Sequence, residues 1–154
     1  MKKIIKTLVI LFLLAVISGG CSKSTLQEKS TIGDLLNIIS EQEIKAKMST
    51  ENEEYSTSVN EIKVTIVNQD STGISFGSYY RVEKFQDDSW YVVPFTKDLG
   101  FTSEEIILKP AEAYEFTVLT ILLDYDLSKG KYRIVKDFQM DSKEIKLAAQ
   151  FTIR

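Results

Sequence analysis

Ile62-Lys63-Val64-Thr65-Ile66 alternates apolar with polar residues at period two, the pattern of a strand with one face buried and one in water. The same rhythm runs outward on both sides. Upstream, Ile44, Ala46 and Met48 alternate with lysines and a serine. Downstream, Asn68-Gln69-Asp70-Ser71-Thr72-Gly73 is turn chemistry, supplying side-chain acceptors and a flexible backbone. Beyond it Ile74, Phe76, Ser78, Tyr80 and Val82 share one parity, with Arg81 and Glu83 on the other.

The rest of the chain keeps this punctuation. Gln86-Asp87-Asp88-Ser89 predicts a turn, then Trp90-Tyr91-Val92-Val93 runs up to Pro94. Ile106-Ile107-Leu108 precedes Lys109-Pro110, and Ala113 to Leu123 reads as one long strand rich in β-branched and aromatic residues. Tyr132, Ile134 and Lys136 follow Gly130, and Glu144 to Ile153 closes the chain. No helical period separates these strands, which argues against a parallel βαβ sheet. About seven short strands with turns between them predict an all-β antiparallel sandwich over residues 43–154. Trp90 is expected as its core tryptophan.

Tyr132 follows a glycine turn by two residues at the start of a late strand. That is the placing of a tyrosine corner, in which the phenol hydroxyl bonds back to backbone a few residues upstream. The expected role of Tyr132 is structural, and Tyr132→Phe is expected to cost about 0.5–1.5 kcal/mol.

The N-terminus follows other rules. Met1-Lys2-Lys3-Ile4-Ile5-Lys6 is basic, Thr7 to Ile17 is apolar, and Ser18-Gly19-Gly20 leads to Cys21, the only cysteine. A charged start, an apolar run and small residues before a cut site make an export signal over residues 1–20. The stretch resembles a bacterial lipoprotein signal with its lipobox: Gly19 and Gly20 fit, while Ser18 stands where an aliphatic residue is usual. The resemblance implies cleavage between Gly20 and Cys21, a lipid on the Cys21 thiol, and a lipid-anchored place on the extracytoplasmic face of the cell membrane. Two acyl chains hold a protein firmly where one does so marginally.

Losing Lys2, Lys3 and Lys6 leaves 16 basic against 22 acidic residues, a net charge of −6. Such a domain is repelled by anionic lipid and nucleic acid, so no nucleic-acid partner is expected. With Cys21 the only cysteine, no intrachain disulfide forms.

Residues 21–42 read as a lipidated tether. Ser22 to Ser30 is polar and without period, a solvated linker. Ile32, Leu35, Leu36 and Ile39 then fall at helical spacing behind Ser30 or Thr31 as N-cap, predicting one short amphipathic helix.

Ile62 to Asn68, Gly77-Ser78-Tyr79-Tyr80-Arg81-Val82-Glu83, Trp90 and Gly130-Lys131-Tyr132-Arg133 together resemble the bacterial immunoglobulin-like domain of exported and lipid-anchored Gram-positive proteins. The resemblance implies an immunoglobulin-like antiparallel β-sandwich over residues 43–154 and an accessory role outside the cytoplasm, and brings no catalytic residues with it.

The chain has no histidine, so the commonest general base and metal ligand are missing. P-loop and GxGxxG patterns do not occur. The acidic pairs Glu53-Glu54, Asp87-Asp88 and Glu104-Glu105, and Asp124-Tyr125-Asp126, are expected as solvated turns. No enzyme activity, cofactor or metal site is expected. Among the clustered aromatics, Tyr79 and Tyr91 are the pair expected to face outward as a binding surface. Two functions follow from the sequence: a non-catalytic envelope module binding a protein or cell-wall partner, or a carbohydrate- or small-ligand-binding lipoprotein.

Overall fold

The computed structural model describes residues 25–35, 38–41, 44–97, 99–140 and 143–154. The expected export signal, Gly20, Cys21 and Leu36 lie outside them. Among the described residues eleven strands form two sheets, more than the about seven expected, because several long sequence runs are broken. The four-stranded sheet runs β1 (Ile38–Glu41), β2 (Ile44–Thr50), β4 (Glu61–Asn68), β9 (Ala113–Leu119). The larger sheet is built on β10 (Gly130–Met140) and β11 (Lys143–Ile153), antiparallel over their whole length. β3 (Glu54–Tyr55) adds to the outer edge of β11 in parallel. On the other flank β10 pairs with β6 (Arg81–Gln86) along its first half and with β5 (Ile74–Phe76) further on. β7 (Ser89–Val93) and β8 (Ile106–Leu108) extend those two.

Alternation places the core as the sequence implies. Ile62, Val64 and Ile66 on β4 face Tyr132, Ile134 and Phe138 on β10, all buried. Phe76 meets Tyr114 and Phe138 edge-on, with ring centroids 5.3 and 5.2 Å apart. The expected strand from Ile74 to Val82 is cut between β5 and β6, yet Ile74, Phe76, Tyr80 and Val82 stay buried as one parity. The cut is held from inside the core. Lys136 on β10 donates to the carbonyls of Gly77 and Tyr79, at 2.6 and 2.9 Å. The run from Ala113 likewise stops at Leu119, where Thr120–Leu122 winds into a single 3-10 turn.

Turn chemistry explains the β6–β7 hairpin. Gln86 pairs with Ser89, leaving a two-residue connection in which Asp87 and Asp88 take φ of 49° and 55°. Two successive left-handed residues are what a tight hairpin needs, and Asp tolerates that conformation better than most residues.

The short helix expected at Ile32–Ile39 is not formed. Residues 32–35 are irregular and Ile38–Glu41 is strand β1, paired with β2. Ser30 does accept from the Ile32 amide at 3.2 Å, as an N-cap would. The carbonyls of Ile32 and Gly33, however, are taken by the Arg133 guanidinium instead of by amides of a following turn. Without those carbonyls the first helical turn has no bonds to close on. The solvated linker is also revised. Val92 donates to Glu28 and Ser30 donates to Trp90, both at 2.8 Å, so the segment lines the free edge of β7. Leu26 packs against the core.

Candidate functional site

The most elaborate polar arrangement lies on the outer face of the larger sheet. In register, Arg133 stands beside Glu83, and Trp90 opposite Phe85, so all four project away from the inter-sheet core. Arg133 and Glu83 are nonetheless wholly buried. The guanidinium Nε and Nη2 both lie 2.7 Å from Glu83 Oε2. Nη1 and Nη2 donate to the carbonyls of Gly33 and Ile32, at 2.8 and 3.0 Å. The other carboxylate oxygen of Glu83 accepts from the Ser30 hydroxyl at 2.8 Å. Trp90 covers the guanidinium face 4.2 Å from its ring centre, and its indole N–H reaches Asp34 at 3.4 Å. Gln150 donates to Leu35, at 3.5 Å.

Residues 28–35 therefore form a strap across the sheet, clasped by one arginine. Arginine suits this place because its planar fork stays charged and serves several acceptors at once. Its charge is matched by a carboxylate and by backbone dipoles, which offsets the heavy cost of burying it. Trp90, expected in the core, is the lid of this outer layer. The pair was missed because period-two reading assigned Glu83 to the solvent face. The available signal was a charged residue inside an apolar run, Tyr132-Arg133-Ile134-Val135.

Beside the strap is an open groove of about 390 Å³, lined in part by Lys29, Asp34, Phe85, Asp88 and Trp90. Further along the same face Asp137 lies 3.5 Å from Arg81 and 3.2 Å from Lys146. Those charges are partly exposed, and such pairs contribute little.

Tyr79 and Tyr91 do not make one surface. Tyr91 stands opposite Lys84, which is itself opposite Tyr132, so it belongs to the inner face. Tyr79 is 48% exposed and meets Phe101 edge-on at 5.0 Å. Tyr132 donates to the Ser128 carbonyl at 2.8 Å and accepts from the Ser128 amide at 3.1 Å, while its ring stacks on Phe151.

Two lysines border on chemistry. Lys84 Nζ is 2.5 Å from Ser128 Oγ and 2.9 Å from Tyr125 Oη. Burial works to lower its pKa, but the Tyr125 hydrogen bond and the neighbouring phenols carry it above the ordinary value. An ammonium held charged cannot take a proton from the serine, so the contact is no nucleophile–base pair. Lys136 is the reverse: burial pushes its pKa down to about 8, against a weaker upward pull from Asp137. It lies 5.1 and 5.3 Å from the centres of the Phe76 and Phe116 rings and 2% exposed, out of reach of a substrate.

The acidic pairs Glu53-Glu54, Asp87-Asp88 and Glu104-Glu105 are exposed. Among the described residues, no three His, Cys, Asp or Glu side chains are grouped to hold a metal ion. No helix among them is long and apolar enough to cross a membrane.

Two packed antiparallel sheets with a tyrosine tied back at the start of β10 define an immunoglobulin-like sandwich. More narrowly, the chain belongs to the bacterial Ig-like domain family, whose sequence profile matches residues 42–152; this is a non-catalytic type of domain. No curated protein sequence matches the chain. Solved structures with similar portions include a structural-genomics target at 15% identity and TM-score 0.42, covering 74% of this chain and 88% of that one. A β-glucosidase of Erythrobacter marinus (12%, TM-score 0.36) and a GH3 exo-β-xylosidase (11%, TM-score 0.34) align over 70% and 72% of this chain. The chain spans only 15% and 17% of those two glycosidases.

Proposed function

We propose that the protein is a lipoprotein of the cell envelope, held by a lipid on Cys21 on the extracytoplasmic side of the membrane. Its Ig-like domain serves there as a non-catalytic accessory module, with a protein or cell-wall partner. The observation that carries the reading is the order of residues 1–21: three lysines, an apolar run, Gly19-Gly20, then the only cysteine. The family match supports a binding or accessory module. With a mature net charge of −6, charge alone would not hold the domain on an anionic surface.

Intact-mass analysis of the membrane fraction tests this. A mature chain beginning at Cys21 with a diacylglyceryl mass added is expected, and Cys21→Ser should appear in the medium. An unmodified N-terminus, or a Cys21→Ser protein still held at the membrane, contradicts the reading.

A second reading, carbohydrate or small-ligand binding, is favoured by the groove beside Trp90, where aromatic and carboxylate groups converge. Trp90 is the only tryptophan, so intrinsic fluorescence reports directly on that groove. A saturable emission shift on titration with cell-wall oligosaccharides is the expected outcome; flat emission to millimolar concentration dismisses this reading.

A further inference from the structure

Resting on the lipid-anchor reading, we infer that one flank of the sandwich, centred on Ile121, lies against the bilayer. Leu26 packs on the core, and Glu28 is bonded to Val92 on the edge of β7. That edge does not end there: Asp124 donates to Pro94 and Thr96 donates to Leu122, both at 2.8 Å. Strap and 3-10 turn thus follow one another on a single strand edge. Their partners Val92 and Pro94 are about 7 Å apart at a strand's rise of about 3.3 Å per residue.

Only four residues separate Cys21 from Leu26, five steps of chain that span at most about 18 Å. A compact domain of this size has a radius of gyration near 13 Å, so it is wider than its tether is long. The side bearing Leu26 is therefore the side the lipid can bring to the membrane. On that side stands Ile121, in the 3-10 turn. Its side chain is 78% exposed, whereas Ile107 and Leu119, opposite Ser75 and Glu61, stand on the outer faces of the larger and the smaller sheet. A singly exposed apolar residue is ordinary in itself, but this one stands beside the end that the lipid holds. Asp124 and Asp126 stand near the turn, so contact is made by apolar insertion at the headgroup level and not by charge.

The test uses the lipid-modified full protein. With Cys21 acylated, an introduced cysteine is the only free thiol, so Ile121→Cys and Glu53→Cys can each be labelled with an environment-sensitive fluorophore. Glu53 adjoins β3 on the opposite flank. The proteins are reconstituted in phosphatidylethanolamine–phosphatidylglycerol vesicles containing a nitroxide-labelled lipid. Expected is a blue-shifted emission at position 121 with quenching at least about twice that at position 53. Equal quenching at both positions on vesicle-bound protein overturns the orientation while leaving the anchor standing. Protein that fails to float with the vesicles overturns both. Leu119→Cys, at the entry to the same 3-10 turn, provides a second position with the same expectation.

Discussion

The two faces of the larger sheet are stabilised by different physics. Its inner face packs Tyr132, Ile134 and Phe138 against the opposing sheet, an apolar layer that needs only shape and hydrophobicity. Its outer face buries Arg133 and Glu83 under a strap, a layer that needs directed hydrogen bonds. The first tolerates conservative exchange. The second fails when any one partner is removed, because the remaining charge stays buried and uncompensated.

The largest test of that contrast is Arg133→Met. It strands Glu83 and frees the strap, and chemical denaturation should register a loss of about 3–5 kcal/mol. Adding Glu83→Gln should recover part of it; a single variant as stable as the parent would contradict the account of the outer face.

Lys136 is the exception that sharpens the comparison, a charge placed in the apolar layer. Its pKa in the folded protein, about 8, lies below the ordinary lysine value of 10.5. Between those values the unfolded chain binds more protons than the folded one, so stability rises with pH across that window. The gain amounts to about 3 kcal/mol at most, and is fully absent below pH 8. Burial also raises the pKa of Tyr80 and Tyr132, which works in the opposite direction above pH 10. The difference between parent and Lys136→Met from pH 8 to 10 isolates the lysine. Parallel stability profiles would show that the amine is not desolvated as described.

Tyr132→Phe should cost about 1–2 kcal/mol by denaturation, since both backbone groups of Ser128 lose their partner. No measurable loss would remove the corner as a source of stability. Smallest is Ala111→Gly, at a residue with φ of 62°. Relief of that conformation against glycine's greater flexibility should raise stability by about 0.5 kcal/mol, visible as a small increase in Tm; a decrease would mean the turn is not strained.

Most of the inner layer was legible in the sequence, because alternation at period two depends only on neighbouring residues. The run from Ile74 to Val82 kept its parity even where the strand was cut. The cut itself was hidden, since it depends on Lys136 reaching across from a strand 50 residues later. The outer layer was hidden for the same reason. Ser30, Ile32 and Gly33 look like the start of a helix, and only Arg133, 100 residues away, turns their polar groups elsewhere. Trp90 was read as buried and is, at 8% exposure, but on the other side of the sheet. Tyr79 and Tyr91 were paired by proximity in sequence, whereas hairpin register assigns Tyr91 to the inner face.

Amide hydrogen exchange on Ser30 and Val92 is the most direct probe of the clasp. Both amides should be protected in the parent protein, and both should lose protection in Arg133→Met while amides of β10 and β11 keep theirs. Exchange of Ser30 and Val92 at open-chain rates in the parent would contradict the strap.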